Sequence, residues 1–238
     1  MRIAVMSDIH GFNLALETVL ADLATREPVD EIVIAGDLVE TGPAPAAVIS
    51  LLRDGGYSLV RGNTDRDVVA GFTEDWAAKE IRYVIEQIGP EGVEFLAELP
   101  FSRRITPPGG TSPADDLLVV HANPHDLERP LAPDLSDREL SALIGDTTAA
   151  VIAFGHIHIA YMRRLGETLL VDVSAVGNPK DHDLRCKYGI LTWDEATRRW
   201  SAELVRIPYP LAETIEQIMA SDLPKPEKTR KKLEKASY

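Results

Sequence analysis

Leu59 to Val68 reads LVRGNTDRDV. An apolar run begun at Tyr57 stops at Val60, and a polar stretch follows from Arg61 to Asp67. The segment YSLVRGN reads as a buried strand that closes in a Gly-Asn turn. Two similar runs lie upstream, RIAVMSD from Arg2 and EIVIAGD from Glu31. Between them, Leu16, Val19, Leu20 and Leu23 recur at helical spacing in FNLALETVLADLATRE. PAPAAVISLLRD, from Pro43, carries its prolines near a helix start. The β-α-β-α-β order predicts a parallel sheet with helices on its faces.

Downstream, Trp76 to Leu99 has a helical pattern broken at Gly89-Pro90, and PPGGTSPADD reads as a polar connector. The texture then turns to strand. LLVVHANP, AVIAFGHIH and TLLVDVSAVGNP are apolar runs, with one short helix near SDRELSALIGD. KYGILTWDEATRRWSAELVRI reads as two antiparallel strands joined by a hairpin, and a last helix begins at about Leu211. This predicts one α/β domain over residues 1–222, with two stacked mixed sheets and helices outside. Residues 223–238 are expected to be a Lys-rich tail, solvated and partly helical.

At 45% hydrophobic and 26% charged, the chain has an ordinary globular composition. Net charge is −13, which disfavours bulk nucleic-acid binding but still permits a small anion at a local positive centre. No apolar run reaches the roughly 18 residues of a membrane span. The apolar run Ile3 to Met6 is too short for a signal peptide, and the single cysteine, Cys186, cannot form an intrachain disulfide. Together these point to a cytoplasmic protein.

Five apolar strands end in chemically similar residues: Asp8 and His10, Asp37, Asn63, His121, then His156 and His158. In open α/β sheets ligands bind beyond the carboxyl ends of strands. Taken singly, Asp8 could cap a helix, Asp37 could sit in a turn, and His121 could be a core histidine. Taken together they form a nitrogen and oxygen donor set suited to divalent transition metals. Seven donors exceed one tetrahedral ion and suit two ions sharing a carboxylate, an arrangement used for hydrolysis.

In order, the motifs SDIHG, AGDLVETGP, RGNTDRD, VHANP and FGHIH resemble those of the calcineurin-like metallophosphoesterase superfamily, from Asp8 to about Ile207. LAELPFSRRI, and VDVSAVGNPKDHD followed by YGILTWD, further resemble its YfcE-like phosphodiesterase branch. The stretch Val173 to Lys180, VSAVGNPK, is a degraded form of that branch's Pro-Gly-Ser-Val-Gly-x-Pro-Arg. The resemblance implies a four-layer α/β/β/α sandwich. It implies that Asp8, His10 and His158 hold one metal, that Asn63, His121 and His156 hold a second, and that Asp37 bridges them. Manganese, iron, zinc or nickel would serve, and a hydroxide between the two ions would attack a small phosphodiester or phosphomonoester. Asp37, Asn63 and His121 would be central to catalysis.

Two ions against Asp8, Asp37 and a hydroxide leave the site about +1, attractive to a phosphate despite the acidic surface. Asn63, Arg66 and Lys180 are candidate substrate contacts, and Asp65 is a candidate support for His121 or for nearby backbone. Thr64 stands where many family members carry a histidine that protonates the leaving group. His125 and His182 read as loop residues rather than replacements for it. A dinucleoside polyphosphate, with its better leaving group, is the alternative substrate, and a non-catalytic scaffold of the same fold is the alternative role.

Overall fold

The computed structural model describes residues 1–74 and 77–237. In chain order, β1 (Arg2–Met6), α1 (Asn13–Ala24), β2 (Glu31–Ile34), α2 (Pro45–Asp54), β3 (Ser58–Leu59) and α3 (Asn63–Thr73) come first. Next are α4 (Lys79–Ala97), β4 (Ser102–Ile105), β5 (Leu117–Val120), α5 (Asp137–Ile144), β6 (Val151–Phe154), β7 (Tyr161–Leu165) and β8 (Thr168–Asp172). The last elements are β9 (Cys186–Asp194), β10 (Arg199–Ile207), α6 (Leu211–Ala220) and α7 (Pro226–Lys235).

The strands form two mixed five-stranded sheets, ordered β10-β9-β1-β2-β3 and β4-β5-β6-β8-β7. Successive strand side chains face opposite sides, and this builds the layers. Ile3 and Val5 of β1 join Val33, Val119, Ala153, Val171 and Trp193 in a core between the sheets. Ala4 and Met6 face the other way and pack with Leu16, Val19, Val48, Leu52 and Val84 of α1, α2 and α4. On the far side, Leu118 and Val120 of β5 pack with Leu140, Leu143 and Ile144 of α5. The four-layer α/β/β/α sandwich expected from the motifs is the fold observed. Truncating a buried aliphatic such as Leu16 to alanine would cost about 2–5 kcal/mol.

Strand register brings the polar ends together. β1 and β2 run parallel with Met6 opposite Ile34. Asp8 N then donates to Gly36 O at 3.0 Å, and His10 N to Asp37 O at 2.9 Å. β5 and β6 are parallel too, with Val119 opposite Ala153, and Gly155 N donates to His121 O at 3.0 Å. The segment after β8 joins the two sheets, since Val176 N donates to Ser7 O at 2.9 Å and Gly177 N to Asp8 O at 3.0 Å.

Some elements differ from the expectation. The polar stretch read as a turn becomes helical at Asn63. α3 has a weak apolar pattern, with Val68 and Gly71 its only buried uncharged residues, so periodicity could not reveal it. β4 and β7 also carry little apolar signal, because SRRI and YMRRL lie at the two edges of their sheet. The break inside α4 is present, with Gly89 at φ 64°. Trp76, the first residue of the helical pattern in the sequence, lies outside the described residues. The tail is helical and docked rather than free: Leu223, Leu233 and Ala236 are buried. No helix among the described residues is long and apolar enough to cross a membrane.

Candidate metal centre

All seven expected donors meet where the two sheets' strand ends converge. His10 Nε2 lies 3.1 Å from His158 Nε2. Asp8 Oδ1 is 3.1 Å from His158 Nε2 and 3.6 Å from His10 Nε2. Beside this set, Asn63 Oδ1 lies 2.9 Å from His121 Nε2 and 3.1 Å from His156 Nδ1. Asp37 stands between the sets, with Oδ2 3.6 Å from His10 Nε2 and Oδ1 3.4 Å from His121 Nε2.

The second nitrogen of each ring decides what these contacts mean. His10 Nδ1 faces Glu40 O at 2.8 Å, His121 Nδ1 faces Ala35 O at 2.8 Å, and His156 Nε2 faces Glu128 O at 2.9 Å. His158 Nδ1 faces Asn178 O. A carbonyl can only accept, so each of those nitrogens carries the ring hydrogen, and the neutral ring turns a lone pair inward. Four imidazole lone pairs, the Asn63 carbonyl and two carboxylates therefore converge. Lone pairs about 3 Å apart repel unless a cation lies between them, and backbone carbonyls commonly orient ligating histidines in this way. Asp8 Oδ1 is buried and accepts no hydrogen bond. These residues fit a metal in each set. Burial holds His156 below its ordinary pKa, with His121 adding to it, and burial likewise lowers His158. Those two shifts favour the neutral, ligating ring, whereas at His10 and His121 burial is outweighed by the Asp8 and Asp37 carboxylates, which raise the pKa.

The backbone is bent to achieve this. Asp8, His10, Asp37, His156 and His158 all have φ between 54° and 74°, the left-handed region that non-glycine residues rarely occupy. Each such residue costs on the order of 1–3 kcal/mol, held by the surrounding packing. The motif glycines have a steric role. A Cβ on Gly62 would fall 2.1 Å from Asp37 Oδ1, and one on Gly155 would fall 2.2 Å from Asp8 Oδ2.

Asp65 supports backbone and not His121. Its carboxylate accepts from Asp37 N, Leu38 N and Gly62 N, each at 2.9 Å. It thereby ties the end of β2 to the start of α3. Burial, then the Asp37 charge, pushes its pKa up to about 6 against the pull of those N–H groups. Asp8 does not cap α1, which begins at Asn13; instead Asp8 Oδ2 accepts from His156 N at 2.9 Å.

His10, Asp37, Asn63, His156 and His158 floor a cleft of 330 Å³ that is also lined by Glu40, Thr41, Thr64, Ile157, Asn178 and Lys180, while Asp8 and His121 are fully buried behind it. Lys180 is therefore where a substrate contact was expected. Arg66 is not among the lining residues; its guanidinium is held by Asp67 at 2.7 Å and Glu128 at 2.6 Å. Thr64 N donates to Asp37 Oδ1 at 3.0 Å, while its Oγ1 is buried with no partner. His125 and His182 do not line the cleft, and His125 Nε2 donates to Ile144 O. Sequence reasoning missed Glu40 and Thr41. Burial raises the Glu40 carboxyl to about 6, with His10 opposing and Asp37 adding. Thr41 sits at φ 98°, an outlier for a β-branched residue. Their only signal was position, just after Asp37 in AGDLVETGP.

Known proteins resemble this chain in sequence and in fold. A protein of Methanocaldococcus jannaschii, MJ0912, is 29% identical over 243 residues, covering 93% of each chain. The metallophosphoesterase of Sphaerobacter thermophilus has the same fold, with a TM-score of 0.79 at 24% identity over 99% of both chains. The phosphoesterase YfcE of E. coli superposes with a TM-score of 0.50 at 21% identity, over 87% of this chain and all of its own. Residues 1–196 match the family model of the calcineurin-like phosphoesterase superfamily domain. With the motifs, the fold and that match in agreement, this chain belongs to the calcineurin-like phosphoesterase superfamily.

Proposed function

We propose that the chain hydrolyses small phosphate esters, diesters or monoesters, with two divalent transition-metal ions held by the two donor sets. The observation that carries this reading is the convergence of four imidazole lone pairs with Asn63 Oδ1, Asp8 and Asp37 at the floor of one cleft and just behind it. When bound, such ions neutralise phosphoryl oxygens and acidify water at neutral pH. Asp8, His10 and His158 would hold one ion, Asn63, His121 and His156 the other, and Asp37 would serve both. Asn63 directs Oδ1 at the histidines, which leaves its Nδ2 as the donor for a phosphoryl oxygen. Lys180 adds positive charge at the cleft wall. Asp65 fixes the peptide groups from which Asp37 and Asn63 project.

A second reading, hydrolysis of a phosphoanhydride such as a dinucleoside polyphosphate, is favoured by Thr64. The hydroxyl of Thr64 is a poor acid, and the two histidines that are not metal-donor candidates, His125 and His182, stand away from the cleft. A leaving group of low pKa needs no proton donor.

The test is turnover by purified protein with added Mn²⁺, Ni²⁺ or Zn²⁺. The substrates are a bis-aryl phosphate, an aryl monophosphate and a dinucleoside tetraphosphate. Metal-stimulated hydrolysis of at least one, lost in Asp37→Ala, is expected. No turnover of any substrate with any of these ions would favour the scaffold role.

A further inference from the structure

α7 concentrates positive charge in an otherwise acidic chain. Residues 225–235 hold six basic and two acidic side chains, in a protein of net charge −13. Arg230 is neutralised by Glu227 at 2.9 Å and Glu234 at 2.9 Å, and Lys225 by Glu80 at 2.6 Å. Lys228, Lys231, Lys232 and Lys235 remain. They are exposed, and no carboxylate among the described residues forms a salt bridge with any of them. Their spacing, i, i+3, i+4 and i+7, sets all four on one face of the helix.

This face costs the helix stability. The pairs Lys228–Lys232 and Lys231–Lys235 place like charges at i,i+4, each destabilising by about 0.2–0.5 kcal/mol. The opposite face is anchored by Leu233, 1% exposed, and Ala236, which caps the helix C-terminus, is 2% exposed. A solvated tail would need neither feature. The helix also adjoins the cleft. Ala236 O accepts from His182 N at 2.9 Å, two residues beyond Lys180, which lines the cleft.

We propose that the lysine face of α7 is a second anion-binding site that takes the phosphate chain of a polyphosphate-bearing ligand and continues the cleft beyond Lys180. A phosphate chain is favoured over single-stranded nucleic acid because the described residues that line the hollow on this face are Lys225, Pro226, Glu227, Lys228, Lys231, Lys232 and Lys235, and none of these offers a ring on which bases could stack. Glu227, the single carboxylate there, is already paired with Arg230. The catalytic arm of the test rests on the phosphoesterase reading; the binding arm does not.

The binding arm uses calorimetry with inorganic polyphosphate on the full chain, without turnover. Binding should weaken steeply as salt rises, through counterion release. A variant combining Lys228→Gln, Lys231→Gln, Lys232→Gln and Lys235→Gln should lose about tenfold or more in affinity. Glutamine is a good helix former, so the melting temperature should hold. The corresponding four Lys→Arg changes should restore binding. No binding by the parent chain, or equal binding by the Gln variant, would overturn the proposal. So would tighter binding of a single-stranded oligonucleotide of equal charge. In the catalytic arm, the Gln variant should raise KM for a dinucleoside tetraphosphate and leave a bis-aryl phosphate unchanged. Equal effects on both would show that the site does not extend the cleft.

Discussion

The two donor sets differ in how they meet water. Asp8, His10 and His158 are all 5% exposed or less. In the other set His121 is fully buried, but Asn63 and His156 are half-buried and open to the cleft. The inner set hangs on β1 and on the GHIH segment, tied by the hydrogen bond from Gly177 N to Asp8 O. The outer set depends on the N-terminus of α3, held by Asp65. A buried set suits permanent retention of an ion. A half-open set suits contact with a ligand that arrives and leaves.

The sharpest way to break this comparison is Asp8→Ala. It removes the inner carboxylate and the acceptor that holds His156 N. Bound metal, measured after dialysis, should fall from two ions per chain to one or none. Turnover should fall at least on the order of 10²–10³, as when an electrostatic transition-state contact is lost. His156→Ala should be milder and should separate the sets. Titration should show the outer ion weakened about 10–100-fold and the inner ion unchanged. Equal weakening of both would mean the sets act as one unit.

Asp65→Asn tests whether the outer set depends on its tether. Losing one acceptor for three buried N–H groups should cost about 1–3 kcal/mol in denaturant unfolding and weaken the outer ion. Thr64→His should raise turnover of esters with poor leaving groups, by up to the 10²-fold order that general acids contribute, and leave good leaving groups unchanged. Equal change for both ester types would remove Thr64 from the account of the leaving group.

The smallest effect is remote from both sets. Hydrogen bonds from Arg185, foremost, hold the Asp183 carboxyl down at about 2, against an ordinary 3.8. A depressed carboxyl contributes stability above its unfolded value and loses it as pH falls through the folded one. Asp183→Asn should therefore cost about 1 kcal/mol at pH 6, after solvent screening, and only a small fraction of that near pH 2. Urea unfolding at both pH values checks the sign, and metal binding at neutral pH should not change.

Legibility varied with the kind of signal each residue carries. β1, β2, β5 and β6 were readable because both of their faces are buried, which leaves nearly continuous apolar runs. The edge strands β4 and β7 were not, since SRRI and YMRRL are half solvent-facing. α3 was hidden because its start is specified by Asp65 bonding to Gly62 N and by packing on α4, neither of which leaves an apolar period. In the site, the seven donors were legible because each ends an apolar strand. Glu40 and Thr41 were not, because nothing in their local sequence separates a cleft wall from an ordinary loop. Arg66 looked like a substrate contact until Glu128, distant in sequence, paired with it.

By itself, the sequence determined the α/β class, the family and the seven polar residues that end its apolar strands, because motifs and apolar runs are local patterns. Only the tertiary structure decided how far each donor is buried: Asp8 and His121 lie behind the cleft, and the other five line it. It also decided which ring nitrogen each histidine turns inward, that Lys180 rather than Arg66 reaches the cleft, and that the terminal helix docks through Leu233. The physical reason is common to all of these. Each depends on a backbone carbonyl, a buried carboxylate or a packed helix supplied by a part of the chain far away in sequence, and such partners leave no mark on the residues they constrain.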